Sequence, residues 1–473
     1  MKIGTSIHYE SLTGIASRIR DREVTSRQVT EALLDRIAHY DGRLHSAQMV
    51  LADLALDQAA AADAEIADGH WRGPLHGVPI GVKDLLWMEG LPTTGGMELL
   101  SDFRPAEDAT VIRRLKEAGA VIIAKLHMTE GATLNHHPAF RRPVNPWSAD
   151  HWTGVSSSGS GVAPAAGFCF GAIGSDTGGS IRMPSAANNL TGIKPTWGRV
   201  SRHGLLHLSE SFDHLGPMAR SAEDAAAILQ AIAGADPRDP TSLIDPAPDY
   251  LTEIAQGVAG LTLGIDREFA LEGMPQEIVA ALENALDVFA GLGMHIKDVR
   301  FPWRDEDADQ TRAMFSAEIA LAHAQYFPEQ AERYGSWLRA TLHECLSVGG
   351  QDVARSHILR ERYRGRLRAL FVEVDMLLFP GLGRILPTWD AMEAIGRGEA
   401  PFDLDLVRFT SPFNVSGSPT ISLPGGFTAE GLPVGIQLAG PWLAEPALIR
   451  AGFAFQRKTD FHSRHPDLDA FSH

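Results

Sequence analysis

The amino-acid sequence predicts an α/β fold, and three observations carry the prediction. Short apolar runs of strand length, Val78–Val82, Val121–Ala124, Leu261–Ile265 and Val374–Phe379, alternate with stretches of helical period. The composition, 44% hydrophobic and 21% charged, is that of an ordinary globular protein. The 473 residues hold no internal repeat and no low-complexity linker. Domains average about 150 residues, but large α/β units exceed that, and one domain spanning 1–473 is expected.

Taken in order, residues 1–70 read as helical. Thr25, followed three residues on by Gln28, makes a capping box, and Val29, Leu33, Leu34 and Ile37 recur at helical spacing. Leu51–Asp68 is a second, Ala-rich helix that stops at Gly69. The strand Val78–Val82 delivers Lys83 and Asp84 at its end. Asp108–Ala118 is a helix stopped by Gly119, and Val121–Ala124 is a buried strand. The Ser/Gly-rich segment 154–180 reads as loop. Ser221 caps a helix through Ile232, ended by Gly234. Residues 235–250, rich in Pro and Asp, form a loop. Leu261–Ile265 is a strand, Pro275–Ala290 a helix and Val374–Phe379 a strand. The apolar runs Ile421–Leu423 and Val434–Leu438 adjoin the turn-forming Pro424-Gly425-Gly426 and Gly431-Leu432-Pro433. The last helix covers about 445–457. A core over 73–220 is expected, elaborated by the least patterned part, roughly 240–400, with 405–473 returning to it.

The charge balance narrows the partners. There are 42 basic against 59 acidic residues, a net −17, and such a surface repels phosphate backbones, so nucleic acid is not an expected partner. Two cysteines, Cys169 and Cys345, lie far apart, which fits a reducing, cytoplasmic location and offers no zinc spacing. Met1–Glu10 lacks an apolar core of signal-peptide length. No run approaches the ~20 apolar residues of a membrane span, so no membrane partner is expected. The longest uncharged stretch, Trp152–Ser175, is built of Ser, Gly and Ala. Such a stretch marks close-packed buried backbone or a site. P-loop, Gly-x-Gly-x-x-Gly, Ser-x-x-Lys and His-Glu-x-x-His patterns are all missing. His136 and His137 are adjacent, so on extended backbone they point apart and do not share a metal. No metal and no other cofactor is expected.

Three segments remain: Gly73–Asp84, Gly154-Val155-Ser156-Ser157-Ser158-Gly159-Ser160-Gly161, and Gly174-Ser175-Asp176-Thr177-Gly178-Gly179-Ser180-Ile181-Arg182-Met183-Pro184. Two glycines before a serine let backbone N–H groups turn toward one point, as an oxyanion hole requires. Together these segments resemble the amidase signature family of serine hydrolases. Gly192–Ser201, Asp213–Met218, Thr410–Asn414 and Gly431–Gln437 extend the resemblance over nearly the whole chain.

The resemblance implies a central mixed, twisted sheet covered by helices on both sides, and a Ser–cis-Ser–Lys triad. By position the nucleophile is Ser180, the bridging serine Ser156 and the base Lys83, with Ser156 and Ser180 at the family's 24-residue spacing. Val155 and Ser158 stand where the family often has glycine. The backbone N–H groups of Thr177, Gly178, Gly179 and Ser180 would form the oxyanion hole, with Asp176 and Arg182 as structural support. Lysine is a base only when neutral, so its pKa must fall from ~10.4, and burial in an uncharged pocket does that. Backbone near Gly131 and Ala132 is implied to line the acyl pocket, with His136, His137, Phe140 and Trp152 as wall candidates.

Among branches, Met183 stands where the A-type chain of glutamine-dependent tRNA amidotransferases usually has Gln, and no glutamine-reading segment is recognisable around Glu318–Gly335. The expectation is a stand-alone hydrolase of linear amides: small neutral amides, anilides or carbamates (urethanes), with esterase activity in reach. The alternatives are an A-type chain of a glutamine amidotransferase or a non-catalytic interaction protein on the same fold. Homodimers are common in the family.

Overall fold

The computed structural model describes residues 7–469 apart from 304, and the side chains of 305, 306 and 308–310 are also left undescribed. The expectation about Met1–Glu10 falls largely on residues 1–6, outside the described residues.

Among the described residues, eleven strands form one sheet: β1 Ala47–Val50, β2 Pro79–Lys83, β3 Val121–Leu126, β4 Gly171–Asp176, β5 Thr191–Lys194, β6 His214–Ala219, β7 Thr262–Ile265, β8 His295–Asp298, β9 Met376–Pro380, β10 Thr420–Phe427 and β11 Pro433–Ala439. Their spatial order is β1-β3-β2-β4-β6-β5-β10-β11-β9-β7-β8. The sheet is mixed. β2 runs parallel to β3 and β4, β7 runs parallel to β8 and β9, and the pairs between these two groups are antiparallel. The fold class is therefore the expected α/β.

The helices among the described residues are α1 Leu12–Arg20, α2 Ser26–Leu44, α3 Ala52–Ala67, α4 Thr110–Glu117, α5 Ser158–Ala165, α6 Arg182–Ala187, α7 Ala222–Ile232, α8 Arg267–Leu271, α9 Gln276–Gly291, α10 Asp305–His323, α11 Ser336–Cys345, α12 Gly350–Leu370, α13 Trp389–Gly396, α14 Ser411–Ser416 and α15 Glu445–Gln456, and they cover the sheet. The capping box at Thr25 forms in both directions. Ser221 likewise caps α7, accepting from the Asp224 N–H.

The centre of the sheet positions the site. Every residue of β2, β3 and β4 is buried, which reads as near-continuous small and apolar residues rather than alternation. Lys83 ends β2 and Asp176 ends β4, so both parallel neighbours discharge their chains at the same edge. In open α/β sheets, ligands bind outside the carboxyl ends of the strands.

Three segments differ from expectation. Residues 1–70 are not all helical: Ala47–Val50 forms β1, which pairs antiparallel with β3 because its backbone meets that strand's free edge. The 154–180 segment is not only loop: it holds α5 and the central strand β4. The 240–400 segment does more than elaborate, because β7, β8 and β9 complete the sheet beyond β11.

Candidate active site

Lys83 enters the site from the end of β2 and is fully buried. Its Nζ stands 2.7 Å from Ser156 Oγ, 2.9 Å from Ser157 Oγ and 2.8 Å from Ser175 Oγ. Burial lowers its pKa to about 7, against the pull of Asp176 and Asp213. Its sequence neighbour Asp84 points elsewhere and pairs with buried Lys125 at 2.7 Å, so it supplies no countercharge at Lys83. A neutral lysine has two N–H donors and one lone pair. Ser157 donates its own hydroxyl to the Ser175 carbonyl at 3.1 Å, so it takes one of the lysine N–H groups as acceptor. One of the two remaining serines then faces the lone pair with its O–H.

Ser156 and Ser157 lead into α5, and the Val155–Ser156 peptide bond is cis. The turn before them is as tight as backbone permits. Gly154 has φ +72, and a Cβ there would stand 2.4 Å from Pro184 Cα.

Ser180 sits in the turn between β4 and α6. It keeps 7% exposure where Ser156 has 1% and Lys83 none, so the outermost of the three is the one a substrate reaches first. The turn is pinned on all sides. Thr177 donates its hydroxyl to Asp213 at 2.7 Å, and Thr410 donates to the Gly178 carbonyl at 2.6 Å. The Gly179 N–H donates to Asp176 Oδ1 at 2.9 Å, so of the four backbone donors expected to face an oxyanion this one is already engaged.

Asp176 and Arg182, both with no exposure, form a forked pair (2.9 and 3.0 Å). All five guanidinium N–H groups are used: the other acceptors are the Thr410 carbonyl, Gln437 Oε1 and Asn414 Oδ1. Burial opposes ionisation of Asp176, but the charge and hydrogen bonds of Arg182 outweigh it and hold the carboxyl well below its usual range. Arg182 and Asp176 thus shape the turn, while Lys83 spends its own hydrogen bonds on the three serines.

Of the six residues expected to line the acyl pocket, the structure places four, Gly131, Ala132, His136 and Trp152, near Ser156 or in the apolar cluster of Val155. The Thr129 N–H donates to the Ser156 carbonyl at 3.2 Å, which sets Gly131 and Ala132 beside it, both with positive φ. Trp152 is 1% exposed in an apolar cluster that includes Val155, Met183, Leu382, Leu386 and Trp389. His136 faces Ser158 Oγ at 2.9 Å and Trp389. His137 and Phe140 are half-buried and pack on each other, and His137 also lies against Gly335. They do not join the apolar cluster that carries Val155.

Sequence reasoning misses Ser157, Ser175, Asn414 and Gln437 in these roles. Only Ser175 leaves a signal, since it precedes the buried Asp176 on a strand. Among the described residues no group of three or more His, Cys, Asp or Glu could hold a metal ion, and no helix is long and apolar enough to cross a membrane.

The family model Amidase matches residues 28–449, and the chain belongs to this family of amidases, hydrolases that act on carbon–nitrogen bonds. It is 46% identical to the AmiD protein of Mycobacterium tuberculosis over 464 residues, covering 97% of this chain and 96% of that one. It is 35% identical to the A-type chain of the glutamyl-tRNA(Gln) amidotransferase of Pseudomonas fluorescens over 486 residues, with 97% and 99% covered. Among solved structures, the peptide amidase of Stenotrophomonas maltophilia superposes with a TM-score of 0.84 at 30% identity, covering 97% of this chain and 99% of that one.

Proposed function

We propose that the protein hydrolyses small neutral amides, anilides or carbamates through an acyl-enzyme on Ser180, with Lys83 as base and Ser156 as proton relay. The observation that carries this is the buried Lys83 held 2.7 Å from Ser156, with its pKa lowered to about 7. A serine hydroxyl is a weak nucleophile and needs such a base. Ser180 Oγ attacks the carbonyl carbon, and its proton passes through Ser156 to Lys83. The oxyanion is met by the backbone N–H groups of Thr177, Gly178 and Ser180, since that of Gly179 is held by Asp176, each such donor being worth ~3–4 kcal/mol in the barrier. As the C–N bond breaks, the proton returns through Ser156 to the leaving nitrogen. Water then attacks the Ser180 ester by the same relay. With a carbamate, carbon dioxide leaves after deacylation.

Apolar side chains near the site support this substrate class. Val155 and Met183 flank Ser156 and Ser180 in sequence and belong to a cluster of tryptophan, leucine and methionine side chains. A free amino acid needs paired sites for its carboxylate and ammonium, and unpaired buried charge is costly. Arg141 and Arg142 are exposed or half-exposed, and Arg142 is paired with Glu393, so neither offers a free carboxylate site in this wall. The two cysteines are free, which supports a reducing compartment.

The test compares kcat/KM for glutamine, an acyl anilide and an aryl carbamate. Glutamine is expected to be the poorest. A glutamine value equal to or above both others would replace this reading with that of an amidotransferase chain.

A further inference from the structure

We infer that Glu130 is a positioning residue for substrate size: its buried carboxyl fastens the N-terminus of α11 to the loop beside Ser156, and so sets the wall against which the acyl group packs. This rests on the reading of Ser180 as the nucleophile of a hydrolase.

Glu130 is 2% exposed although it carries an ionisable group. Its Oε1 accepts the Gly335 N–H at 3.0 Å, and Gly335 is the N-cap of α11. The fit leaves no slack, since a Cβ on Gly335 would come within 2.6 Å of Glu130 Oε2. On the core side the same loop is tied down. The Thr129 N–H bonds the Ser156 carbonyl, the Gly131 N–H bonds the Gly95 carbonyl at 2.9 Å, and the Glu130 N–H bonds the Asn135 carbonyl at 2.8 Å. On the other side α11 presents two consecutive apolar residues. Leu338 is fully buried over Gly131, so close that a Cβ there would lie 2.9 Å from Leu338 Cδ2. Trp337 packs on the cluster that contains Val155 and Met183. Moving α11 therefore moves the wall while the Lys83–serine contacts stay within the core.

The latch also titrates. Burial raises the Glu130 carboxyl to about 7, against the Gly335 N–H and Arg339. The groups facing it are Arg339 and Tyr334 from the α11 side, His323 from α10 and His137 from its own loop. Burial lowers His323 to about 4, lowers His137 and raises the Tyr334 phenol. Burial thus moves the Glu130 carboxyl toward neutrality and moves both imidazoles and the phenol away from it. The carboxylate is the stronger acceptor at a helix N-terminus, so the wall tightens as pH rises through about 7. Lys83 titrates in the same window, but it serves every substrate. The ratio of kcat/KM for a bulky and a small ester cancels it.

The experiment measures p-nitrophenyl 3-phenylpropanoate against p-nitrophenyl acetate from about pH 6 to 8. In the wild type the bulky-to-small ratio rises with pH. Glu130→Gln lowers that ratio by about fivefold or more at the upper end, mainly through KM for the bulky ester, and flattens its pH dependence. Trp337→Ala lowers the ratio but keeps the pH dependence. A Glu130→Gln ratio within about twofold of the wild type, with the same pH dependence, overturns the assignment. Should that variant not fold, a flat ratio in the wild type overturns it equally. Absence of turnover with both esters in the wild type strikes the hydrolase reading instead.

Discussion

The segment 73–220 and the segment 240–400 carry their charges in opposite ways. In the first, Asp176–Arg182 and Asp84–Lys125 are buried ion pairs whose members are at most 2% exposed. In the second, Arg267–Glu283 and Lys297–Glu373 lie at the surface, as does Arg333–Glu98, which joins the second segment to the first, each side chain 39% exposed or more. A buried pair survives only with its remaining hydrogen bonds filled, and Arg182 shows this, with five donors on five acceptors. A surface pair contributes about 0–1 kcal/mol and constrains little. The difference teaches where variation is cheap. The core holds the chemistry in a network that tolerates no missing partner. On the proposed reading, the outer segment carries the wall of the acyl pocket on helices that can be reshaped.

The largest expected effect strikes the core at its most exposed catalytic atom. Ser180→Ala removes the proposed nucleophile and should lower turnover by at least about 10³-fold, with loss of fluorophosphonate labelling. Labelling that persists in this variant moves the nucleophile elsewhere. Nothing in the outer segment should match that loss, and a single substitution in α10–α13 that does would break the comparison.

The same contrast explains what the sequence reveals. Lys83, Ser156 and Ser180 stand in segments whose residue types and order are dictated by close packing and by the turn, so the pattern survives in one chain. Ser157 is invisible among neighbouring serines, because a hydroxyl that accepts from lysine looks like any other, and Ser175 is marked only by its place before Asp176 on a strand. β4 is hidden for a related reason. Its sequence, Gly-Ala-Ile-Gly-Ser-Asp, lacks strand-forming bulk because both faces are pressed: a Cβ at Gly171 would lie 2.4 Å from Ile228 Cδ1, and one at Gly174 2.9 Å from Met218 Sδ. In α12 the period fails instead. Its buried face includes Ser356 and Arg360, the latter bonded to the carbonyls of Val415 and Ser211, so polar residues occupy positions a pattern search reserves for apolar ones.

A smaller loss separates the two halves of the proton relay. Lys83→Ala should slow amide cleavage by about 10²–10⁴-fold and activated esters by much less, because only an amine leaving group needs the returned proton. Equal losses on matched amide and ester substrates count against the relay. The wild-type acylation rate should rise as pH passes through about 7, where Lys83 becomes neutral, and level off above it.

The smallest expected effects compare the two kinds of ion pair directly, by urea unfolding. Arg182→Met leaves the Asp176 carboxylate buried with the N–H groups of Gly179 and Ile181 and the amide of Asn414, but without its forked guanidinium partner. Breaking a buried pair by removing one partner costs about 3–5 kcal/mol. The sign with pH follows from Asp176, whose carboxyl is held below its ordinary range in the fold. Its stabilisation is present above the unfolded value of ~3.9 and is lost as pH falls toward the folded one. The gap between wild type and Arg182→Met should therefore be widest at neutral pH and narrow below about pH 4. Glu98→Gln breaks the Arg333 pair at the surface, where solvent replaces the lost partner, and should cost less than about 1 kcal/mol. It should also leave the bulky-to-small ester ratio within about twofold, since the wall is fastened through Glu130. A Glu98→Gln variant as destabilised as Arg182→Met would show that the outer segment is held by its charges after all.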